Sequence, residues 1–202
     1  MDASGWNDRY AQTELVWSAG PNAFVVDHVS ARPPGRALDV ACGEGRNALW
    51  LAEQGWDVVG VDFSDVAIDK SRRIAERRGV EVDWRVGDVT HPAVVDGTFD
   101  LVLVAYLHLP EEQMAPLVRH LAGLVAPGGM FLLVGHHVDN LERGHGGPPD
   151  RAVLQDPEHI ASWLDGLDIA EAGEVARQVD TDDGPRTAID ALVEAHRPVP
   201  GA

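Results

Sequence analysis

The chain has 202 residues, 45% hydrophobic and 24% charged, a balance that fits one globular domain with an ample core. Its formal charge of −17, with Lys70 as the one lysine, argues against a nucleic-acid or anionic-membrane partner, because gripping phosphates takes a basic face. No apolar run approaches the ~20 residues that span a bilayer. The start, MDASGWNDRY, lacks a secretory pattern, and one cysteine, Cys42, forms no internal disulfide, so a cytoplasmic protein is expected.

In chain order, short helices are predicted over Arg9–Ser18 and Asn22–Ser30, closed by Arg32-Pro33-Pro34-Gly35, where the prolines bar continuation. A strand over Ala37–Val40 carries Asp39, breaks at Gly43-Glu44-Gly45 and becomes a helix with apolar Ala48, Leu49, Leu51 and Ala52, stopped by Gly55. The next strand, Asp57–Val61, ends in Asp62. Ser64 opens a helix that runs to Arg78 and stops at Gly79. Val80–Val86 reads as a third strand and Phe99–Ala105 as a fourth, apolar enough to be covered on both faces. An amphipathic helix follows over Glu111–Leu124. Pro127-Gly128-Gly129 then turns the chain into a fifth strand, Met130–Gly135. Beyond the Gly/Pro-rich loop Asn140–Asp150 come a helix near Pro157–Leu164 and two strands, Leu167–Val179 and Arg186–His196, around the turn Thr181–Gly184. Alternating strands and helices imply a parallel α/β sheet with helices on both faces, and the last pair adds a β-hairpin.

The loop after the first strand carries the chemistry. Gly43 and Gly45 let the backbone turn sharply and approach a ligand, while the opening helix offers free N–H groups. Asp62, at the tip of the second strand, can accept ribose hydroxyls, and Phe63 beside it can lie on an adenine face. Gly43, Gly45 and Ala48 also satisfy the dinucleotide pattern G-x-G-x-x-G/A, which leaves a nicotinamide-dependent oxidoreductase as an alternative. Asp39 argues otherwise: a carboxylate where a pyrophosphate would arrive repels it and suits a cation.

The segment Asp39-Val40-Ala41-Cys42-Gly43-Glu44-Gly45 resembles the first motif, D-x-x-C/G-G-x-G, of the class I S-adenosylmethionine-dependent methyltransferases. The resemblance implies a single domain over 1–202: an N-terminal helical lid (1–35), a donor-binding core (36–135) and an acceptor side (136–202). The implied fold is a Rossmann-like seven-stranded methyltransferase sheet, five parallel strands plus a C-terminal β-hairpin. S-adenosylmethionine is the implied cofactor, and Asp39, Ala41, Gly43, Gly45, Arg46, Asn47, Asp62, Phe63, Ser64, Asp88, Val89, Ala105 and Tyr106 line its site. Trp6, Tyr10 and Trp17 close over it, in a segment similar to the lid of the thiopurine and thiol/halide enzymes.

Two further likenesses narrow the branch. Cys42-Gly43-Glu44-Gly45-Arg46-Asn47 is similar to the tellurite-resistance methyltransferases, and His145-Gly146-Gly147-Pro148-Pro149 to a segment of the thiol/halide enzymes. Asp150 stands where the latter usually place a tyrosine. Arg177 and Arg186 fall in the hairpin where the tellurite enzymes hold an oxyanion, and Arg186 is taken as the catalytic candidate. His108, His136, His137 and His145 are candidates for acid–base work or metal binding, with His108, His136 and His137 taken as the catalytic candidates. His136 and His137 are adjacent and point to opposite faces of an extended chain, a poor geometry for one metal. His136, His137, Asp139 and His145 could gather around an ion if the loop folds back, but no metal is expected. The expected acceptor is a small thiol or other chalcogen compound, since a thiolate is already nucleophilic near neutral pH. The alternatives are an O- or N-methyltransferase for a small aromatic metabolite with a histidine base, or a protein that binds S-adenosylmethionine without turnover. No nucleic-acid or membrane partner is expected, and the chain is expected to be a monomer or homodimer.

Overall fold

The computed structural model describes residues 3–12 and 20–201. The strands are β1 (Arg36–Val40), β2 (Asp57–Asp62), β3 (Asp83–Val86), β4 (Phe99–Ala105), β5 (Val125–His136), β6 (Asp168–Val179) and β7 (Arg186–His196). They form one sheet in the order β3-β2-β1-β4-β5-β7-β6. The first five are parallel, and β7 is inserted antiparallel between β5 and β6. The chain order reverses between β1 and β4, so the crevice outside the carboxyl ends of these strands is the place where open α/β sheets take ligands.

Side chains alternate across the central strands, and each set has its own cover. Leu38, Val40, Val102, Val104, Phe131 and Leu133 pack on α5 (Glu111–Gly123) and α7 (Pro157–Ala161). Ala37, Leu101, Leu103, Met130 and Leu132 face the other side, under α2 (Ala23–Val29) and α3 (Arg46–Glu53). Helix starts follow capping chemistry. Asn22 accepts hydrogen bonds from the Phe24 and Val25 N–H groups, and Ser64 Oγ accepts from Ala67 N–H at the head of α4 (Asp65–Arg78). Gly79 ends α4 in the left-handed conformation. α2 is also clasped to the sheet by His28, which bonds Glu194 of β7.

Several boundaries differ from the sequence reading. The first helix, α1, spans Ala3–Ala11 and so starts six residues before the expected Arg9; residues 13–19, Trp17 included, lie outside the described residues. β3 starts at Asp83 rather than Val80, because Val80 N–H still bonds Ala75 O as the chain leaves α4. β5 starts at Val125 rather than Met130. Pro127-Gly128-Gly129 is an irregularity inside the strand, and Gly129 lies so close to Phe99 O that an added Cβ would sit 2.9 Å from it. The last helix stops at Ala161, not Leu164, and a four-residue helix, α6 (Asn140–Arg143), sits at the start of the expected loop.

Trp84 of β3 lies across Gly60 of β2 and reaches Gly45: a Cβ at either glycine would approach its ring to 2.7 Å and 2.4 Å, respectively. The indole is thus a spacer that sets the glycine loop on the sheet. Replacing Gly60 with alanine overpacks this contact, at an expected cost of roughly 1–3 kcal/mol. A urea titration would show a lower midpoint at unchanged slope; an unchanged midpoint would mean that the indole swings aside freely.

Candidate functional site

The site is built at the carboxyl ends of β1, β2 and β4. After β1 the backbone enters the left-handed region at Ala41, Gly43 and Gly45, with φ of 53°, 56° and 76°. Among the described residues Ala41 is one of two non-glycine residues held this way, and the other is Tyr106, with φ 58° just after β4. Such strain persists only where the surroundings over-determine it. Here Cys42 N–H still bonds Val61 O of β2, while Gly43 N–H donates to Asp62 Oδ2 at 2.8 Å.

Asp62 Oδ1 accepts a second bond, from Ser64 N–H at 2.9 Å. An ionised carboxylate has about four acceptor positions, so two remain for hydroxyls of a ligand. Asp39, on β1, is deeper and accepts from Ala48 N–H at 3.0 Å. Burial pushes its pKa up to about 7, and burial also raises that of Asp62. Two buried carboxylates that resist ionisation flank one loop. Cys42 is partly buried and its thiol is pushed up by burial and by both aspartates, so it is not a ready nucleophile.

α1 docks onto the head of α4 beside this loop. Asn7 Nδ2 donates to Asp65 Oδ1 at 2.8 Å and its Oδ1 accepts from Ser64 Oγ at 2.5 Å. Trp6 stacks on the buried Tyr10, and Lys70 bridges the Tyr10 carbonyl to the buried Glu44 of the loop. Phe63 is half-buried beside Asp62. Asp88 is exposed, and its Oδ1 accepts from Thr90 N–H and Oγ1. Val89 is buried among the core side chains.

A second cluster surrounds Tyr106, next to the half-buried Ala105. Its hydroxyl donates to Asp190 Oδ2 at 2.6 Å and accepts from Asn22 Nδ2 at 3.3 Å. Arg177 Nε also donates to Asp190 Oδ2, at 2.9 Å. The guanidinium carbons of Arg46 and Arg177 each lie 5.6 Å from the Tyr106 ring centroid. Burial lowers the pKa of Arg46. Burial also raises that of Tyr106, and Asp190 raises it further. At Asp190 burial opposes ionisation, but the nearby His136 ring and hydrogen bonds from Arg177 and Tyr106 outweigh it and hold the pKa below the ordinary value. Asn47 Oδ1 accepts from Asn22 N–H at 2.9 Å, so the Gly-Arg-Asn run serves both halves of the site.

The three histidines differ. His108 Nδ1 bonds the Tyr106 carbonyl at 2.9 Å, and Nε2 accepts from His136 N–H at 3.1 Å. Both nitrogens are engaged, and burial lowers the pKa to about 4, which keeps the ring neutral. His137 is buried, and its Nδ1 accepts from Asp139 N–H. His137, Asp139 and Glu174 approach closely enough to hold an ion, but the Arg143 guanidinium already bonds both carboxylates. His136 faces Asp190 across 3.2 Å. His145 is exposed. Arg186 is exposed at the start of β7, opposite Val179 and four residues before Asp190, so the hairpin brings Arg177 rather than Arg186 to Tyr106. The sequence reading did not single out Asp190 or Asn22; the available signal for Asp190 was a lone acid inside the apolar run Ala188–Val193. A surface cleft of about 500 Å³ between α4 and β3 is lined by Asp57 and Asp83, at the strand ends away from this chemistry.

Residues 37–129 match the model of the family described as a methyltransferase domain. The chain is 33% identical to the demethylmenaquinone methyltransferase of Renibacterium salmoninarum over 133 residues, 62% of this chain and 53% of that protein. It spans about half the length of the curated relatives it matches first. The structure reported under "Conversion of a Disulfide Bond into a Thioacetal Group during Echinomycin Biosynthesis" superposes with a TM-score of 0.78 at 20% identity, over 99% of this chain and 94% of that one. TehB from Haemophilus influenzae gives 0.74 at 19% identity, over 88% and 62%. Residues 37–129 are thus similar to a methyltransferase domain, and the chain has the fold of these solved structures, a seven-stranded sheet. No helix among the described residues is long and apolar enough to cross a membrane.

The raised pKa of Asp39 has a consequence for stability. An acid that binds its proton more tightly folded than unfolded carries no penalty below its ordinary 3.8; the penalty grows as pH rises and is full above about 7. An asparagine at this position would keep an oxygen for Ala48 N–H and remove the charge. D39N is therefore expected to be more stable than the wild type at about pH 8, by on the order of 4 kcal/mol, and equal to it near about pH 4. Urea titrations at the two pH values check this.

Proposed function

We propose that the chain transfers a methyl group from S-adenosylmethionine to a small molecule bearing a thiol or other chalcogen. The observation that carries the donor assignment is the pair of buried acids, Asp39 and Asp62, around the glycine loop. Both resist ionisation in the free protein, so a cation is welcome there and a pyrophosphate is not, which disfavours a nicotinamide dinucleotide.

The residues present fit the donor. Asp39 stands where an ammonium or sulfonium neighbourhood would restore its charge. Asp62 keeps acceptor positions for ribose hydroxyls, and Phe63 offers a ring face. When bound, S-adenosylmethionine supplies a methyl group on a positively charged sulfur. The chain holds the rest in place: the Gly43–Gly45 backbone fixes the donor side, Tyr106 and its partners fix the acceptor side, and Trp6 and Tyr10 on α1 exclude water. Positioning of this kind supplies much of the acceleration of an in-line displacement.

The acceptor class is supported by two likenesses: the neighbour that aligns over nearly the whole chain comes from a study of disulfide-to-thioacetal conversion, and the loop and lid segments resemble the thiol/halide branch. The relative named for demethylmenaquinone favours a second reading, methylation of an aromatic metabolite. The charge of −17 speaks against nucleic acid in either case.

Asp62→Ala is expected to weaken S-adenosylhomocysteine binding by about 1–3 kcal/mol in a calorimetric titration, the cost of lost hydrogen bonds to a charged group. Mass spectrometry with deuterated S-adenosylmethionine and a panel of thiols, sulfide, selenite, tellurite, iodide, phenols and amines tests the acceptor. Label on the chalcogen compounds is the expected result; label on phenols or amines alone would replace it with the second reading.

A further inference from the structure

Beside Tyr106, two buried polar atoms face one another with nothing else to bond. His136 Nδ1 and Asp190 Oδ1 lie 3.2 Å apart, and neither has an aligned hydrogen-bond partner among the described residues. An unmatched buried donor or acceptor is costly, so the two are natural partners for an N–H···O bond that lies off line in this conformation. Asp190 cannot turn away, because its Oδ2 is held by Tyr106 Oη and Arg177 Nε. The histidine is held as well. Its ring stacks on His108 with centroids 5.2 Å apart and meets Tyr106 edge-on at 5.1 Å. On a further side Gly147 approaches so closely that a Cβ would sit 2.8 Å from the ring. Yet the side chain keeps 15% exposure, and Nε2, unlike Nδ1, is not among the buried unbonded atoms. The open edge of the ring is the Nε2 edge.

We propose that His136 Nε2 is the catalytic base that takes the acceptor's proton, with Asp190 as the positioning residue that keeps the proton of the free ring on Nδ1. The acceptor then carries an ionisable X–H group, such as a thiol, a selenol or an acidic hydroxyl, and is not a halide. This rests on the methyltransferase reading above. The step balances: the X–carbon bond forms, and the donor's carbon–sulfur bond breaks with its electron pair left on sulfur. The X–H proton passes to Nε2. Positive charge leaves the sulfonium and appears on the imidazolium, against the Asp190 carboxylate. The groups around the ring are Asp190 from β7, Arg177 from β6, Tyr106 and His108 from the end of β4, and Arg46 from α3 across the Tyr106 ring; α2 adds only the neutral Asn22.

The decisive measurement is the tautomer of His136 in the ligand-free protein, from long-range proton–nitrogen correlation spectra, with its signals assigned by their loss in H136Q. The proposal requires Nδ1–H; an Nε2–H tautomer overturns it. Asp190→Asn sharpens the test. Tyr106 and Arg177 both donate at the Oδ2 position, so the amide oxygen settles there and the NH₂ group points at His136 Nδ1. The expected result is reversal to Nε2–H, which a merely structural Asp190 would not produce. If D190N does not fold, the wild-type spectrum still decides. A kinetic readout stands beside it. With benzyl mercaptan, protonated at neutral pH, H136Q should lose at least about 100-fold in rate. With 4-nitrobenzenethiol, already a thiolate, it should lose little; equal losses on both thiols overturn the base. Failure of S-adenosylhomocysteine to bind would strike the methyltransferase reading instead, and the tautomer would report separately.

Discussion

The Asp62 carboxylate ties two chain segments that otherwise have no reason to meet. Its oxygens accept from Gly43 N–H, in the loop after β1, and from Ser64 N–H, at the head of α4. A buried carboxylate without donors is untenable, so these two bonds fix the loop relative to the helix, and the rest of the donor side follows. Gly45 can then lie against Trp84, Glu44 is carried inward to meet Lys70, and Lys70 in turn reaches the Tyr10 carbonyl. The N-terminal helix is held by Ser64 and by Asp65 and Lys70 of α4, with Lys70 linking it to Glu44 of the loop. The same carboxylate keeps acceptor positions free, so one group organises the site and remains available to a ligand.

The electrostatics divide the crevice in two. Around the glycine loop Asp39 and Asp62 are short of positive partners, and burial raises both pKa values. On the other side Asp190 is equally deep but has Arg177, Tyr106 and His136 around it, and its pKa falls. Within a chain of formal charge −17, Arg46 and Arg177 lie together about the ring of Tyr106. The surroundings of Tyr106 are therefore locally rich in hydrogen-bond donors despite the overall acidity. A ligand that brings positive charge to the first half and a proton-bearing group to the second meets a complementary field in each.

How much of this was legible in the sequence depends on the range of the contacts. The donor loop is local: Asp39, Gly43, Gly45 and Asp62 lie within one strand–loop–helix–strand unit, and the spacing alone announced it. The parallel sheet and the hairpin were legible too, from apolar runs and the turn Thr181–Gly184. The acceptor cluster draws on residues 22, 46, 106, 136, 177 and 190, which only the folded sheet brings together. Hairpin register decides which arginine is near. Arg177 pairs with Ala188, next but one to Asp190 along β7, whereas Arg186 pairs with Val179 at the exposed mouth. Nothing in the local sequence separates these two arginines. The extension of β5 back to Val125 was equally hidden, because Pro127-Gly128-Gly129 reads as a turn and is accommodated as an irregularity.

The split between local and long-range construction bears on what can change in such a protein. The donor loop is over-determined: left-handed φ at Ala41, an indole pressed on two glycines and a carboxylate bridging two segments leave little room for substitution. The acceptor side rests on β6 and β7, the last strands of the sheet, and on the loop after β5. That loop is anchored by Asn140, whose buried side chain accepts from Ile189 N–H and donates to the Gly146 carbonyl, and Gly147 then lies on His136. A change of loop length or of hairpin register would move His136, Arg177 and Asp190 relative to one another without touching β1, β2 or the glycine loop. On the function proposed above, the fold separates a fixed site for the donor from an adjustable one for the acceptor, and the His136–Asp190 contact in the adjustable half decides which acceptor loses its proton.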